Sequence, residues 1–276
     1  MTKIRNFTQR SPLLFSVVFT IASYWLMIGI SELLYFVPAS FFGDVVSELV
    51  HMIWPVLLAV LLGYGYICTG KGFGKTFKAG WGYLAFYVFM AGTSIFLSAI
   101  KPDNQWESIG NIILGLLMMI GIGIREEFLF RGIVGNMLAL KYVKNTKGLW
   151  LTAIVSSLLF GFVHMFNVLS GVALSGAFVQ SLGAASIGLI VMSIYLRGGN
   201  IWFVALAHAV VDFAGLFEST FVVSEIDEVD QMSNLSAIGP FILIPVSVIV
   251  ALILFRKSKR QEIFERFDVL RAKFGY

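Results

Sequence analysis

Eight apolar runs, most of them about twenty residues long, leave this chain few ways to fold. In hydrocarbon no water is present to satisfy backbone N–H and C=O groups. Only helices and closed barrels span it. The runs carry few charges and read as transmembrane helices. They lie at roughly 13–36, 49–68, 79–100, 108–140, 149–169, 172–196, 201–217 and 237–255. Mean hydropathy is +0.86 and only 13% of residues are charged, about half the usual share in soluble proteins. The expected fold is an all-α integral membrane protein, a bundle of about eight transmembrane helices forming one polytopic domain over 1–276. The run 108–140 is too long for a single simple crossing. Its last third is expected to leave the bilayer or to tilt.

Charge placement predicts the topology. Seventeen of the twenty Lys and Arg fall in alternate segments. These are the N-terminus (Lys3, Arg5, Arg10), the 69–78 turn (Lys71, Lys75, Lys78), the 141–148 turn (Lys141, Lys144, Lys147), Arg197 and the 256–276 tail. The other loops are acidic, with Asp44, Glu48, Asp103, Glu107, Glu225, Asp227, Glu228 and Asp230. By the positive-inside rule both termini are cytoplasmic, and the net charge of +4 reflects topology rather than nucleic-acid binding. The first run is expected to be a retained helix, since no small-x-small cleavage site follows it. The basic tail reads either as an amphipathic helix on the inner membrane surface or as a solvated helical end. A single cysteine, Cys68, excludes an internal disulfide framework and a Cys-rich metal site.

A charge at mid-bilayer costs at least about 2.5 kcal/mol. Yet Glu32, Arg125, Glu126, Glu127, Arg131, His164, His208 and Asp212 all lie within runs. Residues four apart share a helix face, so Glu127 and Arg131 are expected to pair. A structural clamp is the competing reading of that pair. Glu126 has no partner at i+4 and points elsewhere. Residue 145 centres the lysine-bearing turn; Glu126 lies 19 residues before it and His164 lies 19 after. In a symmetric hairpin the two reach the same depth, so a Glu126–His164 pair is the simplest expectation. His208 and Asp212 are again four apart, and Phe160 shares a face with His164. Glu32 has no such company and reads as structural, and His51 sits near the outer end of its run.

A carboxylate beside a histidine in a low-dielectric cavity suits activation of water. A second histidine with an aspartate suits an oxyanion or a metal. Hydrolysis of an amide bond needs both functions. No serine or cysteine stands in a comparable polar cluster to act as nucleophile. A proton relay would not obviously require Arg131 together with the His208/Asp212 pair.

Glu126-Glu127-x-x-x-Arg131, Phe160-x-x-x-His164 and His208-x-x-x-Asp212 together resemble the three-motif signature of the CPBP (CAAX protease and bacteriocin-processing, or Abi) family. The resemblance covers about 108–217, the expected catalytic core. It implies an intramembrane glutamate-dependent endopeptidase in which Glu126 and His164 activate water. His208 and Asp212 would then stabilise the oxyanion, and Arg131 would order the motif through Glu127. The eukaryotic branch typically has Asn where this chain has Asp212. An Asp would suit a metal better, so zinc stays as the less favoured reading and no cofactor is expected. The expected substrate is a peptide or membrane-tethered protein entering from the cytoplasmic side of a bacterial cell membrane. Bacteriocin or pheromone processing, or self-immunity, fits such a chain. The alternative is a non-catalytic membrane regulator or immunity partner, for example of a sensor kinase.

Overall fold

The computed structural model describes residues 8–34, 41–223 and 235–274. Lys3, Arg5 and the acidic residues Glu225, Asp227, Glu228 and Asp230 lie outside them. The helices are α1 (Pro12–Leu33), α2 (Phe41–Leu61), α3 (Phe73–Ile100), α4 (Ile109–Glu127), α5 (Asn136–Tyr142), α6 (Thr146–Val163), α7 (Leu174–Gly198), α8 (Ile201–Phe221), α9 (Leu235–Leu254) and α10 (Lys257–Phe274). Helix starts follow local chemistry. Pro12 opens α1 at a position where its missing N–H costs nothing. Ser108, Asn145 and Asn200 cap α4, α6 and α8 by accepting from the backbone N–H three residues on.

Six helices are long and apolar enough to cross a membrane: α1, α2, α3, α6 with the 3-10 turn His164–Ser170 that extends it, α7 and α8. A seventh crossing arises if α9 and α10, bent by 74°, count as one. The described residues are thus overwhelmingly helical, and the chain is a multi-pass membrane protein. Large apolar side chains such as Trp81, Phe89, Phe96, Ile109 and Phe241 stand exposed on the outside of the bundle, as a lipid-facing surface requires.

The run 108–140 is neither one helix nor an excursion from the bundle. After α4 the chain widens into a π-helical segment, Phe128–Gly135, and then continues as α5. Every residue from Phe128 to Leu140 is buried. The extra length is taken up inside the protein. A π-helix is a poor solution unless its carbonyls find other donors. Here they do: Asn136 Nδ2 donates to Arg131 O (3.1 Å) and Gly132 O (3.0 Å), and Ser156 Oγ donates to Phe130 O (2.9 Å).

Around this segment α6 packs along α7, α4 along α8 and α2, α3 along α8, and α9 along α7. At one end, Glu262 of α10 binds Lys75 and Arg197, and Arg271 donates to Leu140 O and Val143 O. The lysine-bearing turns and the tail therefore gather at one end of the bundle. The tail helix does not stand free in solvent: Ile263 and Phe267 are buried in the main core. At the opposite end Gln105–Trp106 pairs antiparallel with Val222–Val223, and Lys101 bridges to Glu218 at 2.6 Å.

Candidate active site

Two backbone approaches bring the polar residues together. At Gly123 a Cβ would lie 2.5 Å from Ala205 O and 3.0 Å from Ala209 N, so α4 meets the backbone of α8 at the level of Glu126, Glu127 and His208. At Gly161 a Cβ would lie 2.5 Å from Ser181 O, which draws α6 against α7 one turn before His164. Small residues at these crossings permit such contact. Gly188 also packs closely, against Phe160 and Ser157, whereas Gly171 has open space and terminates a turn at φ +91°.

Glu127 and Arg131 pair at 2.9 Å and are essentially fully buried. The guanidinium also lies 4.5 Å from the Phe160 ring centre and donates to Gly188 O. Glu127 has a second partner, His208 Nδ1, at 2.7 Å. A carboxylate only accepts, so Nδ1 carries the hydrogen and the ring turns Nε2 toward the cavity. Glu127 therefore orients a histidine as well as neutralising an arginine. His208 Nε2 sits 3.5 Å from Glu126 Oε2 and 3.6 Å from Asp212 Oδ1. The Phe160 ring meets both histidines edge-on, with centroids 5.2 Å from His164 and 5.7 Å from His208. It fixes their separation.

The expected Glu126–His164 pair is not made. His164 Nδ1 binds the carbonyl of Phe160 on its own helix at 2.9 Å. The chain tightens into a 3-10 turn at His164, and this holds the ring back against α6. Glu126 instead meets Arg125 Nη2 at 3.2 Å. Both side chains nevertheless line one cavity of about 300 Å³, together with His208 and Asp212. Because the Phe160 carbonyl can only accept, His164 Nδ1 donates and Nε2 is left as an acceptor.

Glu48 is the residue that sequence reasoning missed. It reads as part of an acidic loop, but it lies within α2, is nine-tenths buried, and binds Arg125 at 2.9 Å. The signal was present: Arg125 had no partner at bilayer depth, and Glu48 shares a helix face with His51 at i+3. His51 in turn bonds Ser31 Oγ at 2.9 Å. Glu32 is exposed at the end of α1 and takes no part. Among the described residues no three His, Cys, Asp or Glu side chains converge as ligands of a metal ion.

Residues 108–214 match the family described as type II CAAX prenyl endopeptidase Rce1-like. The matched segment holds all three motifs, from Glu126 to Asp212, and it establishes the CPBP resemblance for this part of the chain. In general terms the match supports a membrane-embedded endopeptidase. No curated protein and no solved structure matches the chain.

Proposed function

Starting from the Rce1-like match over residues 108–214, we propose that this chain is an intramembrane endopeptidase that hydrolyses its peptide bond with water activated by Glu126 and His164. The observation supporting this reading is the convergence of Glu126, His164, His208 and Asp212, from three separate segments, on one cavity. His164 Nε2 accepts one hydrogen of the water and aims its lone pair. Glu126 removes the other proton as the oxygen attacks the carbonyl carbon. The C–N bond then breaks, and the proton held on Glu126 passes to the departing amine. His208, held by Glu127, donates from Nε2 to the oxyanion when its ring is protonated. Asp212 donates only in its acid form; ionised, it holds the His208 ring in place. No metal takes part in this scheme.

The substrate class is a membrane-associated peptide or tethered protein. Bacteriocin or pheromone processing, or self-immunity, in a bacterial cell membrane is the setting we favour. The test compares membrane-associated peptides by mass spectrometry in cells carrying wild type, Glu126→Gln or no protein. Products are expected only with wild type. Matching peptide profiles from wild type and Glu126→Gln cells would refute the reading.

A further inference from the structure

Hydrolysis consumes one water per bond, and that water must reach the catalytic cavity. A second cavity, of about 280 Å³, lies beside the first. The two share Met27, Ile122 and Arg125. The second is lined further by Asp44, Ser47, Glu48, His51 and Met118. Asp44 is exposed in the first turn of α2, at the opposite end of that helix from the lysine-bearing 69–78 turn.

Among the described residues, two buried atoms of the lining have no protein partner: Glu48 Oε1 and His51 Nδ1. Glu48 is 9% exposed and His51 4%. Leaving such groups unpaired costs about 1–3 kcal/mol each, and polar cavities of this size hold water that repays it. The partition is the Arg125 guanidinium. Its Nη1 binds Glu48 on the second-cavity side, and its Nη2 binds Glu126 on the catalytic side. Met27 Sδ packs on the same Nη1 at 3.1 Å.

We infer that the second cavity is a water-filled vestibule, entered at the Asp44 end, which supplies the hydrolytic water to Glu126 past the Arg125 guanidinium. The supply role rests on the endopeptidase reading; the presence of water does not. Asp44, Ser47, Glu48 and Arg125 are polar side chains along this route from the vestibule to Glu126. Glu48 shares the Arg125 guanidinium with Glu126, so the cation is not committed to the Glu126 carboxylate alone. Substrate and water then reach the scissile bond from different sides.

Radiolytic hydroxyl-radical footprinting of the full-length protein in nanodiscs tests for water without any substrate. Met118 lines the vestibule, while its neighbour Met119 is 1% exposed and packed against aromatic rings. Met118 and Met27 are expected to oxidise at least about tenfold faster than Met119. Equal rates for Met118 and Met119 overturn the vestibule. The supply role is tested after folding is complete, in Cys68→Ser protein carrying Ser47→Cys. A small charged thiol reagent is expected to lower kcat at least about tenfold while KM moves less than about twofold. Full modification with kcat unchanged overturns the supply role. Protein that oxidises Met118 rapidly yet cleaves no peptide before modification overturns the endopeptidase reading and the supply role, and leaves the vestibule standing.

Discussion

Glu127 carries two loads, and variants separate them. Glu127→Gln removes the counter-ion of a buried guanidinium, a loss of about 3–5 kcal/mol. Poor recovery of folded protein is expected. Adding Arg131→Met removes the stranded charge, and recovery should return, measured as monodisperse protein after extraction. Activity should stay lost, because His208 no longer has the carboxylate that fixes its tautomer. A double variant that recovers both would reduce Glu127 to a structural clamp. Asp212→Asn supplies an amide donor beside His208 Nε2 without changing side-chain volume. Cleavage should stay within about tenfold of wild type or rise, since an amide donates to an oxyanion where an ionised carboxylate does not. A loss as large as that of Glu126→Gln would assign Asp212 a role as base or ligand. At this scale the sequence was informative where spacing decides. Glu127 and Arg131, and His208 and Asp212, meet because residues four apart share a face. It was uninformative where a side chain reaches a different helix. Glu48 on Arg125 and Glu127 on His208 depend on rotations about helix axes that no periodicity specifies.

Between elements, the crossing at Gly123 sets the reach of the site. Glu126 and Glu127 leave α4 within one turn of that glycine, and His208 leaves α8 between the two backbone atoms that a Cβ there would strike. Gly123→Val should therefore push α4 from α8. Overpacking of this kind costs about 1–3 kcal/mol, which a bundle of this size can absorb, while the 2.7 Å Glu127–His208 bond cannot. Folded yield should fall modestly and kcat by about tenfold or more. Equal activity at equal yield would show that the helices slide without disturbing the site. The π-helical segment that follows α4 was equally hidden. Over 108–140 the hydrophobic pattern shows only a run too long for one helix. The reason, a widened turn held by Asn136 and Ser156, requires donors brought from positions whose own place in the fold was unknown.

Across the whole molecule, the tail is tied to the bundle by a charge cluster at the end where the lysine-bearing turns gather. Glu262 accepts from Lys75 Nζ at 2.8 Å and from both terminal nitrogens of Arg197 at 2.9 and 3.0 Å. The Lys75 ammonium first, and Arg197 next, hold its carboxyl down to about 2 from an ordinary 4.5. A depressed folded-state value means that the stabilisation is fully present above about pH 4.5 and disappears as pH falls through about 2. Lys75 and Glu262 are both substantially exposed, so the contribution is within about 1 kcal/mol and weakens with salt. That is too small to unfold the protein but enough to alter how tightly α10 docks, because Arg271 and the buried Phe267 still hold its far end. Spin labels on the exposed faces of α10 and α3 would report this as a distance distribution. In wild type the distribution should stay narrow down to about pH 4.5 and broaden below it, and high salt at neutral pH should act in the same direction. Glu262→Gln should show the broadened distribution at every pH, with no step between 4.5 and 2. A step that persists in the variant would move the pH sensitivity to another carboxylate. A narrow distribution at all pH values in both proteins would mean that Ile263, Phe267 and Arg271 dock the tail without the Glu262 cluster.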